Sequence, residues 1–397
     1  MKQMKMRKLK RIIQESIPNN LDIAWKPFLL CVFMGAAVTI SSSSSILQFH
    51  QQGWSTTMYS WVVTASISSA ILALFLLNIT ATWVIRTPVL IGVYFLMIFS
   101  TICLSIFRDT SLSWIIYAGV RGLIFNHCYH VLYLWVIHNS FKENHAKLFY
   151  INYVGLCIGN FIGPPIVSFF NIENTTFFLL TLTYIFCIML LFFRKIPKLN
   201  IQKVDRKNIL RYLKISPLLW ILCGLFGMTE VAYSFIVHYG FGLEFTESQS
   251  LWLTNALLLG AIGLGYPLSA TMDKFKNKNK FVLWIMLFLL VLMLFLIGLP
   301  HVYWVFSLIF VIVGGIFSLL AESGKTFVMQ QYNKQDVSSG FILATLFDNV
   351  GRIICTQIMG RTMDRSETFG FIGTLVSFLV IAIAICAYKN RRQLKWK

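Results

Sequence analysis

The sequence predicts an all-α membrane protein with twelve transmembrane helices in two pseudo-symmetric halves of six. Three observations carry that prediction. Only 12% of the 397 residues are charged, against roughly 25% in typical soluble domains, and the mean hydropathy is +0.71. Such a chain cannot hide its apolar groups in one soluble core and must be solvated by lipid. Apolar runs of bilayer length recur along it, and the basic residues fall in blocks between them.

Taken in order, the runs are 27–47, 58–82, 88–106, 114–138, 147–170, 176–193, 217–240, 250–272, 281–299, 303–332, 340–360 and 369–388. A span of about 20 apolar residues crosses a hydrocarbon core of about 30 Å. The first run follows a leader, 1–26, whose basic cluster Lys2 to Arg11 has no apolar h-region or cleavage site following it closely, so the leader reads as a cytoplasmic tail. Runs 27–193 form the first six-helix half and 217–388 the second. Between them, 194–216 is the longest loop and is strongly basic (Arg194, Lys195, Lys198, Lys203, Arg206, Lys207, Arg211, Lys214). It is expected to anchor on anionic lipid, and not to bind nucleic acid. A second basic tail, 389–397, ends the chain.

Charge bias orients the whole. Of 34 Lys and Arg, 28 lie on the side of the two tails and the central loop, and three on the opposite loops (Arg108, Arg361, Arg365). Both termini are therefore expected in the cytoplasm, with the chain in a cell membrane, the bacterial inner membrane. All eight cysteines fall in apolar runs, where they serve as small packing residues and not as disulfides or metal ligands.

Twelve spans, a 6+6 division and a basic central loop resemble the major facilitator superfamily (MFS), and the resemblance covers almost the whole chain. In loop 8–9, Ser269 to Lys278 is similar to that family's G-x-x-x-D-R-x-G-R-R motif, with Asp273 and Lys274 at its centre. The resemblance implies a gating role for these two. The corresponding stretch after span two, Asn78 to Arg86, keeps the basic residue but has Thr82 at the acidic position. In span four, Arg121-Gly122 resembles the R-x-x-Q-G motif, with Ile124 and Phe125 in place of Gln-Gly. Gly155, Gly159, Gly163 and Pro164 in span five are similar to the antiporters' G-x-x-x-G-P helix, yet close small-residue packing with a proline kink explains them equally. The resemblance implies a monomeric secondary transporter working by alternating access.

Six charges remain inside the spans: Glu230, Glu322, Asp348, Arg121, Lys325 and Arg352. Charges at membrane depth are costly and persist when paired or when lining a wet path. Glu322/Lys325 (i, i+3) and Asp348/Arg352 (i, i+4) can each share a helix face. Arg352 and Glu230 fall roughly 18–20 Å from a helix end at 1.5 Å per residue, near mid-bilayer. Glu230 has no base one turn away in sequence. It is thus expected to be an unpaired carboxylate able to carry a proton, or else to pair across helices with Arg352 or Lys325. His127 and His130 share a face of span four that points roughly away from Arg121, so either the arginine or the histidine pair lines a cavity. Holding a haem or metal there would take further ligands that the sequence does not supply. The run Ser41 to Ser45 can pack closely or wet a pathway, and Thr229, Glu230, Tyr233 and Ser234 lie on or near one face.

No P-loop, dinucleotide fingerprint, HExxH or nucleophile elbow is present. An enzyme or an ATP-driven pump is not expected, and no cofactor is called for. The expected function is proton-coupled transport of a small anionic or zwitterionic solute, a metabolite or a carboxylate siderophore. The alternative is proton-driven efflux of amphipathic compounds, favoured by the 15% aromatic content but not by the charged spans.

Overall fold

A computed structural model of the chain describes residues 21–80, 87–139, 145–170, 179–183, 185, 217–275, 277–329 and 337–395. All regular structure among them is α-helical. The first half contributes α1 (Leu21–Gln51), α2 (Thr56–Thr80), α3 (Thr87–Ile106), α4 (Ser111–Asn139) and α5 (His145–Phe169). The second contributes α6 (Pro217–Phe226), α7 (Met228–Gly242), α8 (Glu247–Gly263), α9 (Gly265–Lys274), α10 (Lys278–Ile297), α11 (Tyr303–Met329), α12 (Val337–Met363) and α13 (Glu367–Lys395). Seven helices among the described residues are long and apolar enough to cross a membrane. Most of span six and the basic linker 194–216 lie outside the described residues.

The helices overrun the apolar runs at their ends. α1 begins six residues before its run and carries Gln48, His50 and Gln51 as further helical turns, because backbone pairing within the helix remains the cheapest arrangement at the membrane interface. α13 likewise continues to Lys395, so the basic residues expected in a tail extend the helix instead. Starts are fixed by side-chain caps. Thr246 and Gln249 form a reciprocal capping box on α8, and Asn277 accepts from the Lys280 N–H at 3.1 Å on α10.

Two spans are broken in ways that hydropathy does not reveal. Span seven is interrupted at Gly227, between α6 and α7, and span eight at Leu264, between α8 and α9. Gly227 itself stands at the first break, and at the second Gly263 and Gly265 are followed by Pro267, which has no N–H to donate to the preceding turn. The break at Gly227 stands directly before Glu230, which thereby falls in the first turn of α7.

The packing repeats with a period of six spans. α1 lies along α5 and α2 along α4; α8 lies along α11, and α12 along α6 and α7. Shifting the span number by six converts each first-half pair into its second-half counterpart. The halves meet through α2 against α12 and α5 against α8, two contacts that the same shift exchanges. Gly35, Gly155, Gly159 and Gly163 bring α1 and α5 together almost backbone to backbone. A Cβ on Gly155 would stand 2.7 Å from the Phe28 carbonyl oxygen. That close packing accounts for the span-five glycines without any appeal to antiport.

Candidate functional site

A cavity of about 340 Å³ lies between the halves, walled by α1, α2, α4 and α5 on one side and α7, α8, α11 and α12 on the other. Its polar lining includes Thr39, Ser42, Ser43 and Ser45 from the serine helix and Thr229, Glu230, Tyr233 and Ser234 from α7. The serine run is divided by its helical period. Ser42, Ser43 and Ser45 line the cavity, and Ser41 turns to α4 as a hydrogen-bond partner. Both expected uses of the run, wetting and packing, therefore occur in one helix.

Arg121 lines the first-half wall and is 7% exposed. Its Nη1 donates to Ser41 Oγ at 2.5 Å and to the Val38 carbonyl at 3.2 Å, and its Nη2 to Ser66 Oγ at 3.4 Å. One side chain thus ties α4 to α1 and α2. Every one of these acceptors is neutral, and among the described residues no carboxylate lies within ion-pairing distance.

The second-half wall is built differently. Arg352 Nη2 meets Glu230 Oε1 and Asp348 Oδ2, each at 2.6 Å. The Asp348–Arg352 pairing along one helix matches the expected spacing. Of the two states expected for Glu230, the lone carboxylate is corrected and the pairing across helices with Arg352 is the one observed, because the break at Gly227 and the close passage of α12 bring Arg352 against it. Gly224 and Gly351 meet backbone to backbone, and a Cβ on Gly227 would stand 2.7 Å from the Asp348 carbonyl and 2.9 Å from Arg352 Cγ. Glycines on both helices are what allow the triad to form. Asp348 is enclosed behind Arg352, whereas the Glu230 side chain is 44% exposed and reaches the cavity.

The other residues singled out in the sequence distribute unevenly. His127 is buried outside the cavity lining, toward the Ala73 carbonyl of α2, so of the two span-four alternatives Arg121 holds the cavity face. The side chains of His130, Glu322, Lys325 and Asp273, and all of Arg86, lie outside the described residues. Lys274 is exposed at the end of α9. Among the described residues, no group of three or more His, Cys, Asp or Glu could hold a metal ion.

Reading for charge missed the neutral polar lining: Tyr59, Ser66, Tyr153, Asn160, Thr254 and Ser318. Tyr59 and Ser66 are seven residues apart, two helical turns on one face, and that spacing was the available signal. It also missed the seal beyond the cavity, at the end where α1 gives way to α2. There Tyr59 packs against Phe235 and His238 of α7, with ring centroids 5.4 and 4.9 Å away, and His50 stacks on Phe241 at 3.9 Å. Thr56 Oγ1 donates to the Gly360 carbonyl at 2.9 Å and to Asp364 Oδ1 at 2.5 Å, and the Thr57 N–H donates to the same carboxylate at 3.2 Å. Asp364 of the second half therefore caps the N-terminus of α2 in the first. Partial burial pushes the Asp364 carboxyl up, but the hydrogen bonds from Thr56 and Thr57 outweigh it and leave it below the usual aspartate range.

The sequence profile described as the Major Facilitator Superfamily matches residues 28–356. No curated protein matches the sequence. Among solved structures, the nucleoside transporter NupG is similar over 92% of this chain and 98% of its own, at TM-score 0.73 and 15% identity. A POT family transporter in complex with a thioalcohol-conjugated peptide covers 95% and 99%, at 0.73 and 14%. A D-xylose-proton symporter covers 93% and 95%, at 0.65 and 12%. At these identities the likeness is one of fold.

Proposed function

The chain belongs to the Major Facilitator Superfamily, a family of multi-pass membrane transporters, and from that premise we propose that it is a proton-coupled secondary transporter for a small anionic or zwitterionic organic solute. The observation that carries this reading is Arg121. Placing a charge mid-span costs about 3 kcal/mol on insertion scales, and here neutral hydroxyls and a carbonyl offset it with no carboxylate among the described residues. A guanidinium held that way on a cavity wall is a receptor for a carboxylate or other anionic group. The two halves rock about this midplane site to expose it to each side in turn. Glu230, Glu322 and Asp348 are the candidate proton carriers, with both termini in the cytoplasm, a monomer as the working unit and anionic lipid at the basic loops. Asp273, Lys274 and Arg86 are proposed to gate the end that carries the termini.

The test is uptake of labelled organic acids and amino acids into proteoliposomes under an imposed pH gradient. Accumulation that collapses on adding a protonophore is expected. Uptake unchanged by E230Q, E322Q and D348N, made singly, would overturn the proton-carrier assignment. A second reading, efflux of amphipathic compounds, is favoured by the aromatic lining of Tyr59, Tyr153, Tyr233 and Phe317. Drug hypersensitivity of a deletion strain, with no solute uptake in vesicles, would select it.

A further inference from the structure

Among the described residues, the two cavity walls carry opposite charges that no further ion pair compensates. On the first-half wall, Arg121 is one positive charge met only by neutral acceptors among the described residues. On the second-half wall, one guanidinium serves two carboxylates, which leaves one negative charge in excess. The geometry decides where that excess is presented. Asp348 is 7% exposed at its side chain and spends its Oδ2 on Arg352; Glu230 is 44% exposed and lines the cavity. Arg352 holds Glu230 by one oxygen, Oε1. The second oxygen of that carboxylate remains as an acceptor for whatever occupies the cavity, and a carboxylate can accept from several donors at once.

An occupant with a single charge fits this arrangement badly. A monoanion satisfies Arg121 and is repelled by the Glu230 wall; a monocation has the reverse difficulty. A molecule carrying both charges satisfies both poles and brings no net charge into the membrane, which spares the desolvation cost of an unpaired ion. We propose that the cavity selects small zwitterions, with the anionic group on Arg121 and a protonated amine on Glu230. The volume of about 340 Å³ lies at the small end of ligand sites, which points to amino-acid-sized solutes. This inference rests on the reading of Arg121 as an anion receptor and adds the second pole to it.

The experiment compares matched triplets on the purified full-length protein: each of a panel of amino acids beside its deaminated acid and its decarboxylated amine. Binding is read by thermal stabilisation and by competition. At least one amino acid is expected to bind ten-fold or more tighter than both of its partners. In E230Q the amino acid is expected to lose that advantage over the deaminated acid, and in R121Q binding of amino acid and deaminated acid alike is expected to weaken about 10- to 100-fold. Deaminated acids binding as tightly as their amino acids, in wild type and E230Q alike, would overturn the zwitterion inference and leave the anion reading standing. Binding as tight in R121Q as in wild type would overturn both. The wild-type ranking alone decides the matter if a variant fails to fold, since no amino acid outbinding its acid also overturns it.

Discussion

Arg121, buried, and Arg352, partly buried, are both guanidinium groups on the wall of one cavity, yet they are solved by opposite means. Arg121 is solvated by Ser41, Ser66 and the Val38 carbonyl; Arg352 is neutralised, and more than neutralised, by Glu230 and Asp348. Hydroxyls stabilise a cation without cancelling its charge, so the first-half wall keeps its charge available. The ion triad consumes its charge internally, apart from the excess at Glu230. On the proposed reading one half receives the solute, and the other is both a second pole for it and a fastening between α7 and α12.

That difference can be broken experimentally. Removing Arg352 has the largest expected effect, since R352Q leaves Asp348 enclosed without its partner. A loss of about 3–5 kcal/mol in stability is expected, visible as a much lower melting temperature and protein yield. The double variant D348N/R352Q should recover more than half of it; no recovery would mean that the triad is not the fastening. R121Q should do the reverse, leaving melting within about 1 kcal/mol of wild type because its partners are neutral. Its solute affinity should fall by about 10- to 100-fold, the scale of one charge-assisted hydrogen bond or a pair of them. Equal destabilisation by R121Q and R352Q would erase the contrast. E230Q should cost under about 1 kcal/mol in stability, because the carboxylate is nearly half exposed and screened, while solute selectivity changes.

The smallest effect belongs to the seal. D364A removes the side chain that caps α2 from the other half and should raise labelling of the cavity thiol Cys157 by an impermeant maleimide about 2- to 30-fold, the range of a helix cap worth about 0.5–2 kcal/mol. C157S supplies the background. The pH dependence has a definite sign. A carboxylate held below its usual range stabilises the sealed form throughout neutral pH and loses that contribution only as pH falls through the lowered value. Labelling should therefore be flat near neutrality and rise in acid, and D364A should be flat throughout.

Most of the architecture was legible because lipid imposes a length and a hydropathy on every span, and alternate loops retain their charge. The i, i+4 relation of Asp348 and Arg352 was legible for the same reason: it is local to one helix. Pairing of Glu230 with Arg352 was legible only as one alternative among others, since the choice depends on where α12 crosses α7, which the glycines at 224, 227 and 351 set through contacts no single helix contains. The breaks at Gly227 and Leu264 were hidden because hydropathy averages over a window longer than a kink. Tyr59, Tyr153 and Ser66 escaped because reading for charge passes over neutral polar groups, although these line the cavity beside the charges.

The backbone-close seam between α1 and α5 also bears on how a solute arrives. Gly35, Gly155, Gly159 and Gly163 leave no room between these helices for so much as a methyl group, and an acyl chain is far bulkier. On that flank the cavity is walled off from the hydrocarbon, so compounds dissolved in the bilayer have no lateral entrance there. A solute that cannot come sideways must come from water, which suits a hydrophilic cargo better than a lipid-soluble one.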